Sequence, residues 1–122
     1  MSKFILVIDD EAPTRELLDL YLRKQGYEVT SVATSEEALR CVENSKFNLV
    51  ILDIDLGSSN GLDLIKPIKK SIPDVPIIIF TGLGRDDSLV SRACSGGADG
   101  YITKTQPLSE MLIEIRHHLD KC

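Results

Sequence analysis

The sequence predicts an α/β domain: one parallel sheet of five strands with helices on both faces, built from successive βα units. Three observations predict it. Short apolar runs alternate with amphipathic stretches along the whole chain, and the hydrophobic period switches each time between strand-like and helix-like. Parallel strands joined by helices require right-handed crossovers that cover both sheet faces. Finally, 122 residues at 43% hydrophobic composition suffice for one sizeable core and leave no room for a second, so residues 1–122 are expected to form a single domain.

The units follow in order. Residues 4–8 are an apolar run, followed by Leu17, Leu18, Tyr21 and Leu22 at helical spacing. Residues 29–32 precede Ala38, Leu39 and Val42, and residues 49–52 precede Ile65, Ile68 and Ile72. Residues 77–80 precede Leu89, Val90 and Ala93; Tyr101 and Ile102 precede Leu108, Met111, Leu112, Ile115 and Leu119. Runs one, three and four are continuously apolar, as strands buried on both faces must be, whereas Glu28-Val29-Thr30-Ser31-Val32 alternates. Strand two is therefore expected at an edge, in the doubly wound, flavodoxin-like order 2-1-3-4-5. That order puts the switch-point crevice beside strands one and three.

Local signals agree. Pro13 suits a first helical turn, Ser35 with Glu36 and Glu37 puts acid near a helix start, and Gly26 and Gly96-Gly97 suit helix stops. Pro67 lies inside the third helical stretch, which predicts a kink or a late helix start there.

A net charge of −5 with interspersed acids and bases lacks the electrostatic footprint of a protein that binds nucleic acid or an anionic membrane directly. The longest apolar runs fall far short of the roughly 20 residues a membrane helix needs, and the first residues lack a secretory signal. Cys41, Cys94 and Cys122 are odd in number and lack metal-type spacing, so a reducing, cytoplasmic compartment is expected, with Cys41 and Cys94 as packing residues. His117 and His118 are read as solvated groups near a helix C-terminus. Gly82-Leu83-Gly84 lacks the full dinucleotide fingerprint, and no phosphate-loop motif exists.

The chemistry gathers at the strand ends. Asp9 and Asp10 follow run one, Asp53 follows run three, Thr81 closes run four and Lys104 follows run five. With Asp9, Asp10 and Asp53 ionised against Lys104, this edge carries an excess of negative charge and calls for a cation. Carboxylates without histidine or thiolate neighbours favour Mg²⁺, which binds through one or two carboxylates together with a phosphate oxygen. Phosphoryl transfer needs an in-line nucleophile and neutralisation of the equatorial oxygens, a set that Asp53, Mg²⁺, Lys104 and Thr81 can supply. Gly82 removes side-chain bulk where a phosphoryl group has to approach the backbone.

Together, Val7-Ile8-Asp9-Asp10-Glu11, Leu49-Val50-Ile51-Leu52-Asp53, Gly61, Ile79-Phe80-Thr81-Gly82 and Gly97-Ala98-Asp99-Gly100-Tyr101-Ile102-Thr103-Lys104 resemble the CheY-like receiver domain of two-component response regulators. The resemblance covers essentially the whole chain. It implies that Asp53 accepts a phosphoryl group from a phosphohistidine of a histidine kinase or histidine phosphotransfer protein. It also implies that Asp10 binds Mg²⁺ directly and Asp9 mainly through water, with Asp53 and the main-chain carbonyl of Asp55 as further ligands. Lys104 then pairs with Asp53 and afterwards with its phosphoryl group, and Thr81 hydrogen-bonds that group. Thr81 and Tyr101 form the switch pair that remodels the surface of helix four, strand five and helix five for a downstream protein. Asp55 and Leu83 resemble the positions that tune phosphoaspartate lifetime, Asp55 either ordering the attacking water or repelling the phosphoryl group. The module catalyses only its own phosphorylation and dephosphorylation and is not a conventional enzyme.

Two departures from the family stand out. Lys104 is usually followed by a proline in a cis peptide, whereas Thr105 follows here and proline waits until Pro107. A cis bond before Thr105 costs roughly 2.5–4 kcal/mol, which predicts a trans loop and a different aim for Lys104. In the loop after Asp53, Gly57 stands where proline is usual, and a more mobile loop is expected beside the metal.

Two rival readings share some residues. Asp53-Ile54-Asp55 resembles the nucleophile and acid of haloacid-dehalogenase-like phosphatases, with Thr81 and Lys104 as later motifs, but the acidic pair precedes Asp53 here instead of following Lys104. A receiver-like interaction scaffold that is never phosphorylated is the other.

Overall fold

The computed structural model describes residues 3–57, 59–82 and 87–119, and of Asp87 the backbone only. Strands β1 (Phe4–Ile8), β2 (Glu28–Val32), β3 (Leu49–Leu52), β4 (Ile77–Thr81) and β5 (Gly100–Thr103) alternate with helices α1 (Ala12–Lys24), α2 (Ser35–Asn44), α3 (Ile65–Ser71), α4 (Asp87–Ser95) and α5 (Leu108–Leu119). All strand pairs are parallel, in the order β2-β1-β3-β4-β5. β2 lies at an edge, as expected, but its residues do not alternate: Val29 and Val32 bury in opposite layers with Thr30 and Ser31 exposed between them.

Side-chain alternation divides the core into two layers. Ile5, Val7, Leu49, Ile51, Ile78, Phe80 and Ile102 pack under α1 and α5 through Leu18, Leu22, Met111 and Ile115. Leu6, Ile8, Val50, Leu52, Ile77, Ile79 and Tyr101 face the other way, against Ala38 and Val42 of α2, Ile65 and Ile68 of α3, and Ala93 of α4. Both faces of β1, β3 and β4 are therefore apolar, which is the physical reason for their uninterrupted hydrophobic runs.

Helix boundaries follow local chemistry. Pro13 lies in the first turn of α1, where its missing N–H is no loss, and Gly26 beyond the helix takes φ +93°. α2 is capped one residue earlier than its acids suggest: Thr34 Oγ1 accepts from the Glu37 N–H at 3.2 Å, and Glu37 Oε1 accepts from the Ala33 N–H at 3.1 Å. This variant of the capping box, in which Glu37 reaches the residue before the cap, lowers the Glu37 carboxyl pKa, chiefly through the Ala33 N–H. The helix expected around Pro67 starts late. A 3₁₀ turn, Gly61–Leu64, comes first, and α3 begins at Ile65, so Pro67 falls in the first turn, where the N–H it lacks would have no acceptor within the α-helix.

At the N-terminal end of the strands, Asp99 Oδ2 accepts from the Ile77 N–H and from Lys69 Nζ, each at 2.9 Å. It thereby pins the start of β4 to the turn before β5. No described helix is long and apolar enough to cross a membrane.

Candidate functional site

Backbone hydrogen bonds extend the ladders just past the strand ends and bring the site residues side by side. The Asp9 N–H donates to Val32 O at 3.1 Å, the Asp53 N–H to Ile8 O at 2.9 Å, and the Lys104 N–H to Thr81 O at 2.8 Å. Asp9, Asp53 and Thr81 are buried, Asp10 is exposed, and a cleft of about 340 Å³ is lined by Asp10, Glu11, Asp53, Asp55, Thr81, Gly82 and Lys104. One crevice at the switch point thus collects the four strand ends that the sequence singled out.

Lys104 is the hub. Its Nζ lies 2.5 Å from Glu11 Oε1, 2.9 Å from Asp9 Oδ2 and 3.1 Å from Asp53 Oδ2. Burial works to lower the Lys104 pKa, but the carboxylates of Glu11, Asp9 and Asp53 around the ammonium outweigh it and hold the group above its usual range. Asp9 moves the opposite way for a carboxylate: burial pushes its pKa up, against the Glu11 N–H and Lys104. The Glu11 N–H donates to Asp9 Oδ1 at 2.9 Å, whereas Asp9 Oδ2 is buried without a hydrogen-bond donor, its ammonium contact lying off the hydrogen-bonding direction.

That orphaned oxygen bears on the cation. Carboxylate oxygens of Asp9, Asp10 and Asp53 all lie within 4.8 Å of one another. One ammonium cannot neutralise these three and Glu11, and an all-oxygen donor set suits a hard divalent ion. The residues present therefore fit Mg²⁺, since Asp9 Oδ2 lacks a hydrogen-bond donor and shares its one cation, Lys104, with Glu11 and Asp53.

The loop after Asp53 is short and hydrogen-bonded. The Gly57 N–H donates to Asp55 Oδ1 at 3.1 Å, the Leu56 N–H to Ser59 O at 3.1 Å, and the Asp55 N–H to Asp53 Oδ1 at 3.3 Å. Gly57 has φ +74°, a conformation proline cannot adopt. The Ser59 hydroxyl lies 2.8 Å from that of Ser35 at the start of α2, tying the loop to a neighbouring helix. Gly61 is required by space: a Cβ there would run into the Asp53 carbonyl oxygen and lie 2.9 Å from its carbon. At Gly82, among the described residues, a Cβ would meet only Lys104 Cδ, at 3.7 Å, an ordinary contact.

Thr81 is fully buried at the end of β4, and Tyr101, 9% exposed, lies on the same sheet face opposite Ile79. The ring is packed inward, more deeply than a half-buried edge position requires. Among the described residues no peptide bond is cis, so Lys104 and Thr105 are joined by the expected trans bond. The different aim expected for Lys104 is not observed, because Nζ reaches Asp53 at 3.1 Å. The turn after β5 is closed by side chains instead: Gln106 Oε1 accepts from the Thr103 N–H at 2.9 Å, and the hydroxyls of Thr103 and Thr105 lie 2.9 Å apart. Leu83, Gly84 and Cys122 lie outside the described residues.

Glu11 and Arg15 received no role in the sequence reading. Glu11 is the third acid after β1, and its adjacency to Asp10 was the available signal. Arg15 Nη1 donates to Asp9 O at 2.7 Å, bracing the acidic turn from α1, a contact that no sequence spacing announces.

A buried carboxylate paired with a lysine, beside an acidic cation cradle at the switch point of a doubly wound sheet, defines a class of metal-assisted phosphoryl acceptors. Residues 5–116 match the response regulator receiver domain, and the chain belongs to that family, the receiver domains of two-component systems. It is 35% identical over 119 residues to the regulatory protein VanR of Enterococcus faecium, covering 98% of this chain and 51% of that one. The chain spans about half the length of the curated relatives it matches. Among solved structures it is similar to the Thermotoga maritima response regulator TrrA in complex with Mg²⁺ and BeF, at 34% identity and TM-score 0.85 over 96% of this chain and 99% of that one. It is also similar to a Burkholderia pseudomallei response regulator with a phosphorylated aspartic acid and a calcium ion, at 28% identity and TM-score 0.86 over 99% and 76%.

Proposed function

We propose that Asp53 is the phosphoacceptor of this receiver domain, taking the group from a phosphohistidine of a histidine kinase or histidine phosphotransfer protein. The carrying observation is the Asp53 carboxylate itself, 4% exposed, ion-paired to Lys104 and open to the cleft. An Asp53 oxygen forms the new P–O bond as the P–N bond breaks. The bonding pair returns to the imidazole nitrogen, and the imidazole leaves neutral with a proton on its other nitrogen. Lys104, already fully charged, transfers its contacts from the carboxylate to the phosphoryl oxygens. Thr81 offers a hydroxyl to the same group, and Gly82 lets it approach the backbone. Asp10, with Asp9 mainly through water, Asp53 and the main-chain carbonyl of Asp55, is the set that would hold Mg²⁺, which supplies charge neutralisation at the equatorial oxygens.

The output rests on Thr81 and Tyr101. A dianion at Asp53 draws the Thr81 hydroxyl, and the inward ring of Tyr101 fills the space behind it, so phosphorylation favours one surface formed by α4, β5 and α5. Asp55 and Leu83 tune phosphoryl lifetime. The domain modifies only itself, in the cytoplasm, and acts through protein contacts, not through nucleic acid or membrane.

Incubation with Mg²⁺ and a small phosphodonor is expected to add one phosphoryl mass, absent from Asp53→Asn. Steady hydrolysis of phosphate esters that needs the Asp55 side chain would point to a phosphatase instead. An unmodified protein under donors that modify other receivers would leave an interaction scaffold.

A further inference from the structure

We infer that Gln106 is a positioning residue for Lys104, closing the turn that aims the ammonium at Asp53, and that Glu110 locks its amide in the working orientation. The inference rests on the role given to Lys104 above and adds the device that holds it.

Lys104 is the second residue of a turn running from Thr103 to Gln106. The Gln106 N–H donates to Thr103 O at 3.1 Å, which closes one side. Gln106 Oε1 accepts from the Thr103 N–H at 2.9 Å, which closes the other. One residue therefore clamps the last strand residue at both its backbone groups.

Topology explains why the second contact matters. β5 is an edge strand, and the Lys104 N–H donates inward to Thr81 O, so alternation turns the Thr103 N–H toward the open edge. Thr103 is only 7% exposed, and a buried N–H there needs an acceptor that the sheet does not supply. The Gln106 carbonyl oxygen supplies it.

The amide is oriented by its other end. Gln106 Nε2 donates to Glu110 Oε2 at 3.0 Å, in the first turn of α5. A carboxylate only accepts and an N–H only donates, so Glu110 and Thr103 together permit a single placement of the amide oxygen and nitrogen. The Thr103 and Thr105 hydroxyls, 2.9 Å apart, brace the same turn.

Lys104 sits between these fixed points with Nζ at the end of a long stem. A backbone tilt of about ten degrees moves such an ammonium by about 1 Å, and misplacement of that size slows group transfer by up to about a hundredfold. Asp9, Asp10 and Asp53 follow β1 and β3, so the backbone that carries them is fixed independently of this turn, although Lys104 is ion-paired to two of them. Loss of the clamp should therefore affect phosphoryl uptake and spare the cation cradle.

The test uses the full chain with phosphoramidate and Mg²⁺, following uptake by intact mass, Mg²⁺ affinity by calorimetry and folding by Tm. Gln106→Ala is expected to slow uptake about fivefold, the worth of one hydrogen bond, at unchanged Mg²⁺ Kd. Gln106→Glu keeps the acceptor but sets a carboxylate against Glu110, and is also slow. The double variant Gln106→Glu with Glu110→Gln restores donor and acceptor with roles exchanged, and recovers uptake to within about twofold. If Gln106→Ala does not fold, the comparison of Gln106→Glu with the double variant carries the test. Uptake unchanged in Gln106→Ala and Gln106→Glu, a loss shared equally by Mg²⁺ affinity, or a double variant no faster than Gln106→Glu overturns the inference. A wild-type protein that takes up no phosphoryl group overturns the reading of the site, and this inference with it.

Discussion

The two ends of the sheet treat their carboxylates in opposite ways: Asp99 at one end is exposed, Asp9 and Asp53 at the other are buried. At the N-terminal end Asp99 has one cation, Lys69 at 2.9 Å, and one backbone N–H, from Ile77. At the C-terminal end Lys104 is shared among Glu11, Asp9 and Asp53, and Asp9 Oδ2 still lacks a donor. The first arrangement is complete and serves the fold. The second is short of positive charge and is completed by what binds to it, so an isolated protein carries instability where its chemistry will occur.

Four substitutions break or sharpen this contrast. The largest effect is expected at Gly61, where a methyl meets the Asp53 backbone: Gly61→Ala should cost about 3 kcal/mol in urea denaturation and displace the site. Next comes the cation itself. At a hundredfold excess over Kd, Mg²⁺ should stabilise the wild type by about 2.7 kcal/mol, and Asp9→Asn should lose most of that gain. Without metal, Asp9→Asn should raise stability, by about 1 kcal/mol, because it removes a buried charge lacking a full partner. The sign depends on pH. Burial raises the Asp9 pKa above its ordinary 3.8, so the folded chain holds this proton more tightly than the unfolded one. The Asp9 contribution is complete below that value and fades as pH climbs through the raised one, so the wild type should weaken relative to Asp9→Asn across that window.

At the opposite end the sign reverses. Asp99→Ala should cost about 2 kcal/mol, leaving the Ile77 N–H without its acceptor, and Mg²⁺ should rescue none of it. The smallest change in stability is expected at Gly82, where Ala should shift it by less than about 0.5 kcal/mol yet slow phosphoryl uptake by narrowing the cleft. A Gly82→Ala protein that takes up phosphate at the wild-type rate would show that the open space there has no part in the reaction.

The contrast also explains what was legible beforehand. Asp9, Asp10, Asp53, Thr81 and Lys104 could be read because each ends an apolar run, and the period of the run fixes where its end lies. Strand order followed from the polar interruption of β2 by Thr30 and Ser31 against the continuous runs of β1, β3 and β4. Thr34 as the cap of α2 was missed because Ser35 is an equally good capping residue one position later, and only the backbone distinguishes them. The aim of Lys104 was misjudged because the proline rule treats the loop as backbone alone. The Gln106 side chain supplies the constraint instead, and its partners Thr103 and Glu110 lie on two different elements.

The sequence by itself determined the five βα units, the strand order and the identities of the groups at the strand ends, because hydrophobic period and turn chemistry are local properties. Tertiary structure alone decided how charge is shared among those groups. That Glu11 competes for Lys104, that Asp9 Oδ2 is left unsatisfied, that Asp99 is not, and that Gln106 closes the last turn all depend on distances between elements far apart in the chain. Electrostatic compensation is set by those distances and by burial, and neither is written in the spacing of residues along one strand or helix.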